Sequence, residues 1–328
     1  MKNLPQLYIA FFLTVIITWF WYMLSHSAFG LFKEHWIVTL TMVVGSFIAG
    51  ASSEGGGAVA FPVFTLLLNI APETARNFSL AIQSVGMTAA STMIIGLKIP
   101  IEKKAIFFAS IGGVFGLVFG TFFLVDLVSG PTTKIFFVSI WLSFGFALFL
   151  INRNKDRKVF AQLSNTTLND TARLIVFGFV GGIITSFFGN GIDIFTFCLL
   201  TLFYGIDEKV ATPTSVVIMT INTMTGFLLH FFVIKDFQTL AFECWLVAIP
   251  VVVIFAPVGA YVISFFTRHT ISYILYAVLL VQYIGAIIII ELSLFQMILS
   301  TFVVFAGFLF FWHLSRKVRN RQIPVLTS

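Results

Sequence analysis

Eight unbroken apolar runs, each close to twenty residues, constrain this chain more than any other feature. They cover roughly residues 7–25, 74–96, 105–125, 133–151, 210–234, 241–266, 271–290 and 292–313. A helix rises about 1.5 Å per residue, so a run of this length matches the roughly 30 Å hydrocarbon core of a bilayer. Composition agrees: 59% of residues are hydrophobic and 10% charged, against about 45–50% and about 25% in soluble domains. That balance excludes a soluble enzyme, a disordered chain and a secreted disulfide scaffold. Cys198 and Cys244 sit in apolar stretches without metal-ligand spacing, so they read as small packing residues. The run after Lys2 is long enough to be a retained first helix rather than a cleaved leader.

Two further stretches are apolar but broken. Trp36–Ile70 is interrupted by Ala51-Ser52-Ser53-Glu54-Gly55-Gly56-Gly57, and Leu174–Tyr204 by Phe188-Gly189-Asn190-Gly191. The spacing predicts arms of about 12–16 residues, too short to cross alone. Charge decides how the second lies; for the first only Lys2 against Lys33 is at stake, a tie, and re-entry is extended to it because the halves look alike. If both stretches dip in and return, fifteen basic residues face one side and four the other; if both span, the best split is ten to nine. Cytoplasmic loops carry the basic excess, so re-entry is favoured, with both termini cytoplasmic in a multi-pass cell-membrane protein.

The chain also repeats. Gly55-Gly56-Gly57 matches Gly189-Asn190-Gly191, and Ala75-Arg76-Asn77-Phe78-Ser79 matches Ala211-Thr212-Pro213-Thr214-Ser215. Small residues recur four apart in the same segment of each half, as Gly112, Gly116, Gly120 and as Ala256, Ala260, Ser264, a spacing that lets helix backbones touch in lipid. The expected fold is therefore all-α and polytopic, with about eight spanning helices plus two re-entrant hairpins in two inverted repeats. Its expected divisions are an extra helix at 1–35, a first repeat at 36–151, a polar cytoplasmic linker at 152–171, a second repeat at 172–290, and a last helix with a basic tail at 291–328. In such a plan the two glycine-rich tips meet near the midplane, and half-helix N-termini there attract anions. Ser52, Ser53 and Asn190 add neutral donors.

A glycine-rich broken helix followed by Phe61-Pro62, and a downstream Ala-x-x-Thr-Ser at Ala211–Ser215, occur in this twofold layout and resemble the TauE/SafE family of sulfite exporters over about residues 37–290. The resemblance implies a secondary transporter that exports sulfite or an organosulfonate by alternating access. It carries Gly55, Gly56, Gly57, Ser79, Gly189, Asn190, Gly191, Thr214 and Ser215 over as site residues. Asn77-Phe78-Ser79 stands in place of a first Thr-Ser pair, and Glu54 and Asp193 intrude at the tips. Either carboxylate is a candidate proton carrier, or is simply hydrated or capped by backbone N–H groups. His230 reads as an interfacial residue, and Asp126 and Asp236 as solvated span ends; Arg76 is a boundary charge placed to attract an anion from outside. Expected partners are lipid, a small anion and protons. No cofactor, metal, nucleic acid or catalytic nucleophile is indicated. A passive anion channel, or a sensor or subunit that transports nothing, is the alternative.

Overall fold

A computed structural model describes residues 4–52, 59, 63–127, 130–152, 159–163 and 167–321. Its helices are α1 (Gln6–Ser25), α2 (Trp36–Ala51), α3 (Pro72–Gly96), α4 (Lys103–Phe123), α5 (Gly130–Asn152), α6 (Leu168–Phe188), α7 (Ile192–Cys198), α8 (Glu208–Leu228), α9 (Thr239–Ile263), α10 (Arg268–Ile289) and α11 (Leu294–Arg321). Wider π-type turns extend α7 to Phe203 and α8 to Ile234. Every apolar run is helical. The β pairing among the described residues is a single parallel bridge between Phe160 and Ile206.

The bundle has two chemically distinct ends. Thr214, in the second turn of α8, accepts from the Glu102 amide at the start of α4 at 2.9 Å, and Lys98 and Lys209 line one cavity. This basic end holds Lys98, Lys103, Lys104 and Lys209. Glu73, Asp126 and Asp236 mark the far end. Pro5 packs on Gly96 at the basic end. α11 runs parallel to α5, with Ser300 bonded to Ser139 and Gly307 against Ser143, so its C-terminus is at the basic end too.

α6 is longer than the hydropathy predicts. Thr167 and Asp170 form a reciprocal capping box, which starts the helix six residues before the apolar run. The result is 21 residues, about 31 Å and long enough to cross. It nevertheless belongs to a hairpin. The Tyr204 hydroxyl, just after the return arm, donates to the Asp170 carboxylate at 3.2 Å. Burial, then the neighbouring Asp170, raises the Tyr204 phenol above its ordinary value, which keeps the proton for that bond. Both ends of the hairpin therefore lie at the basic end. The return arm is buried throughout, with Phe195 edge-on to Trp141 and Phe197 edge-on to Phe144.

The first broken stretch is the mirror case. Thr39 in α2 donates to the Val247 carbonyl near the start of α9 at 3.2 Å. Phe64 stacks on Phe78 in the second turn of α3 at 4.3 Å. The described parts of both arms thus leave from the far end.

Small residues clasp each outbound arm. A Cβ on Gly112, Gly116 or Gly120 of α4 would strike Ile175, Phe179 or Ser186 of α6, and one on Gly178 or Gly182 of α6 would strike Ala109 or Gly113 of α4. The pairs advance together along both helices, so α4 and α6 are parallel and backbone-close. α2 and α9 do the same, with Gly50 against Ala256 and Ala260, and Gly259 against Phe47. The small-residue spacing in one half therefore serves the hairpin of the other.

Candidate functional site

The second tip is shaped by glycine. Gly189 has φ 75° and Gly191 φ 141°, values that a side chain would strain. Asn190 between them is fully buried. The amides at the start of α7 are already engaged. Asp193 Oδ1 accepts from the Gly191 and Ile194 N–H groups at 3.1 and 3.0 Å, and the Thr185 hydroxyl accepts from Ile192 N–H at 3.1 Å. Asp193 thus caps its own helix, the alternative in which the backbone N–H groups hold the carboxylate. Asp193→Ala should lower unfolding stability by about 1 kcal/mol, while Asp193→Asn keeps an acceptor and should hold most of it; thermal melts of the purified variants check this.

The predicted meeting of the tips at the midplane involves a first tip that lies outside the described residues; the second tip packs against α3. Gly189 abuts Ser79 and the Arg76 carbonyl, and its own carbonyl accepts from Gln83 Nε2 at 2.8 Å. Gly50, two residues before Ser52, lines a cavity with Ile94. Ser79 and Ile94 are 15 residues apart on α3, or about 22 Å. The second tip and the described end of the first arm have each passed the middle toward opposite ends. The cause is α6 and α2 running beside α4 and α9 for nearly their full length. Ser52 is buried with extended backbone. Ser53, Glu54, Gly55, Gly56 and Gly57 lie outside the described residues.

Among the described residues, the expected site residues fall into two groups. Ser79, Gly189, Asn190, Gly191 and Asp193 share the far station. Thr214 and Ser215 belong to the basic one, where Thr214 bonds Glu102 and Ser215 donates to the Thr212 carbonyl at 2.8 Å. Beside them lies a cavity of about 350 Å³, whose polar lining is Lys98, Lys209, Thr212 and Ser264. Among the described residues, two cations and no carboxylate line it. The Thr212 hydroxyl is buried and has no hydrogen-bond partner among the described residues.

The far station contains a network that the sequence reading dispersed. Arg76 Nη2 meets Asp236 Oδ2 at 3.1 Å, and His230 Nδ1 meets Asp236 Oδ1 at 2.8 Å. Asn77 accepts from Arg76 Nε at 3.1 Å and donates to the Asp236 carbonyl and Gln238 Oε1, both at 3.0 Å. Arg76 and His230 are buried at 4% and 1% exposure, so neither is the boundary or interfacial group expected of it, and Asp236 is a paired rather than merely solvated span end. The available signal was Arg76 lying inside the repeated motif. Among the described residues no cluster of three or more His, Cys, Asp or Glu could hold a metal.

Spanning helices, paired re-entrant arms and small-residue clasps define a multi-pass membrane protein of the transporter type. The chain belongs to the sulfite exporter TauE/SafE family, whose model matches residues 37–285. It is similar to the "Probable membrane transporter protein YdhB" of Bacillus subtilis (strain 168), 27% identical over 162 residues, which cover 47% of this chain and 62% of that protein. No solved structure matches the chain.

Proposed function

We propose that the chain exports a small sulfur-containing anion, sulfite or an organosulfonate, by alternating access, with the basic end and both termini in the cytoplasm. The observation that carries this reading is the cavity flanked by Lys98 and Lys209 at one end, opposite the Arg76–Asp236–His230 network at the other. Its volume of about 350 Å³ falls within the roughly 300–1,000 Å³ usual for small-molecule sites. The charge balance of its lining selects an anion, and the Thr212 hydroxyl offers a neutral donor. The excess of lysine at this end agrees with a cytoplasmic face. Family membership supports the sulfur chemistry.

Proteoliposomes provide the test. Preloaded sulfite should drive saturable counterflow of sulfite or sulfoacetate. Ohmic anion current without counterflow would make the chain a channel, and exchange of carboxylates alone would overturn the substrate class.

A further inference from the structure

The far-end ion pair is unequal. The Arg76 side chain is 5% exposed and that of Asp236 35%. Arg76 projects from α3, a helix packed on α8 and α9. Asp236 follows Lys235, which ends the α8 extension in left-handed conformation at φ 60°. The cation is therefore fixed and buried, and the anion sits on a short connection facing water. A guanidinium keeps its charge at any physiological pH, and a buried charge left unpaired is costly. If Asp236 leaves, another anion must replace it.

His230 ties a titratable group to the same carboxylate. Its Nδ1 reaches both Asp236 oxygens, at 2.8 and 3.1 Å. Its Nε2 is buried without a hydrogen-bond partner among the described residues. Glu73 and Asp126 act electrostatically on Arg76 from the start of α3 and the end of α4, and Lys235 adjoins Asp236 in the chain.

We propose that Asp236 is a tethered stand-in for the transported anion at Arg76, and that the two exchange with uptake of one proton by the Asp236–His230 pair. The inference rests on the reading of the chain as an anion carrier. A sulfonate presents oxygens to a guanidinium as a carboxylate does. With Asp236 in place and His230 neutral, the three groups sum to zero charge. A bound monoanion makes that sum negative, and one proton from far-side water, held on the carboxylate or the imidazole, restores it. Anion and proton then bind with positive coupling, and affinity rises as pH falls.

Ethanesulfonate tests this, because its own charge is constant between about pH 5.5 and 8. Its binding to the full chain in nanodiscs should be about tenfold tighter at the acid end. In Asp236→Asn, affinity at about pH 8 should rise to the native acid value and most of the pH dependence should vanish. An unaltered pH dependence in that variant overturns the proposal. A second readout does not depend on the substrate. Ser79→Cys should react several-fold faster with an anionic methanethiosulfonate added from the far side when Asp236→Asn is also present; buried Cys198 and Cys244 set the background. Equal labelling rates overturn the stand-in role. Failure of ethanesulfonate to bind at any pH would count against the substrate assignment alone, since the labelling result still judges Asp236.

Discussion

Gly116→Val will prevent the protein from accumulating as a folded, monodisperse species. A Cβ at Gly116 falls onto the Phe179 carbonyl of α6, with the Phe179 Cα at 2.9 Å. The obstacle is backbone, so no rotamer change relieves it, and valine adds two more methyl groups. Overpacking of ordinary cores costs about 1–3 kcal/mol. Here the clash lies in the middle of a parallel helix pair with further backbone contacts at Gly112, Gly120, Gly178 and Gly182, and the expected loss is about 3 kcal/mol or more. Gly259→Val should do the same where α9 meets Phe47 of α2. Gly285→Val is the control, because nothing lies within 4 Å of a Cβ there. Size-exclusion profiles and melting temperatures in detergent separate the three. If Gly116→Val melts like Gly285→Val, the close packing of α4 on α6 is wrong.

Replacing Lys98 and Lys209 together by glutamine will weaken anion transport about tenfold at low salt. The two lysines are the charged groups among the described residues that line the cavity. A hydrogen bond to a charged group is worth about 1.5–3 kcal/mol when sheltered. Both side chains reach water, so solvent screening cuts this sharply. A joint effect of about 1.4 kcal/mol remains, which is tenfold. The loss should shrink as ionic strength rises, and the Lys98→Arg, Lys209→Arg pair should retain most of the rate. Initial rates of sulfite counterflow across a salt series measure this. A double glutamine variant with native rates would place the substrate path elsewhere.

Much of the fold was legible because the bilayer imposes simple arithmetic on sequence. The spanning runs, the helix end at Ala51, the break at 189–191 and the small-residue ladders all follow from local rules of length, hydropathy and spacing. The candidate site was legible only in pieces. Ser79 and Gly189 were both singled out, and they do touch. Thr214 and Ser215 were placed with them, yet they serve the opposite end. Arg76 and Asp236 lie 160 residues apart in sequence, and each alone resembles an ordinary charge at a helix boundary. Asp193 was open between proton carrier and cap, and its bonds to the Gly191 and Ile194 amides depend on how the chain turns at Gly191.

The sequence by itself determined which segments meet lipid and where they must break, since about twenty apolar residues are needed to cross and only glycine turns cheaply at positive φ. Tertiary structure alone decided how deep the second hairpin reaches and which charges pair. Depth is set by the register of one helix against another, and partners are set by which helix ends the bundle gathers, neither of which is written in any local pattern.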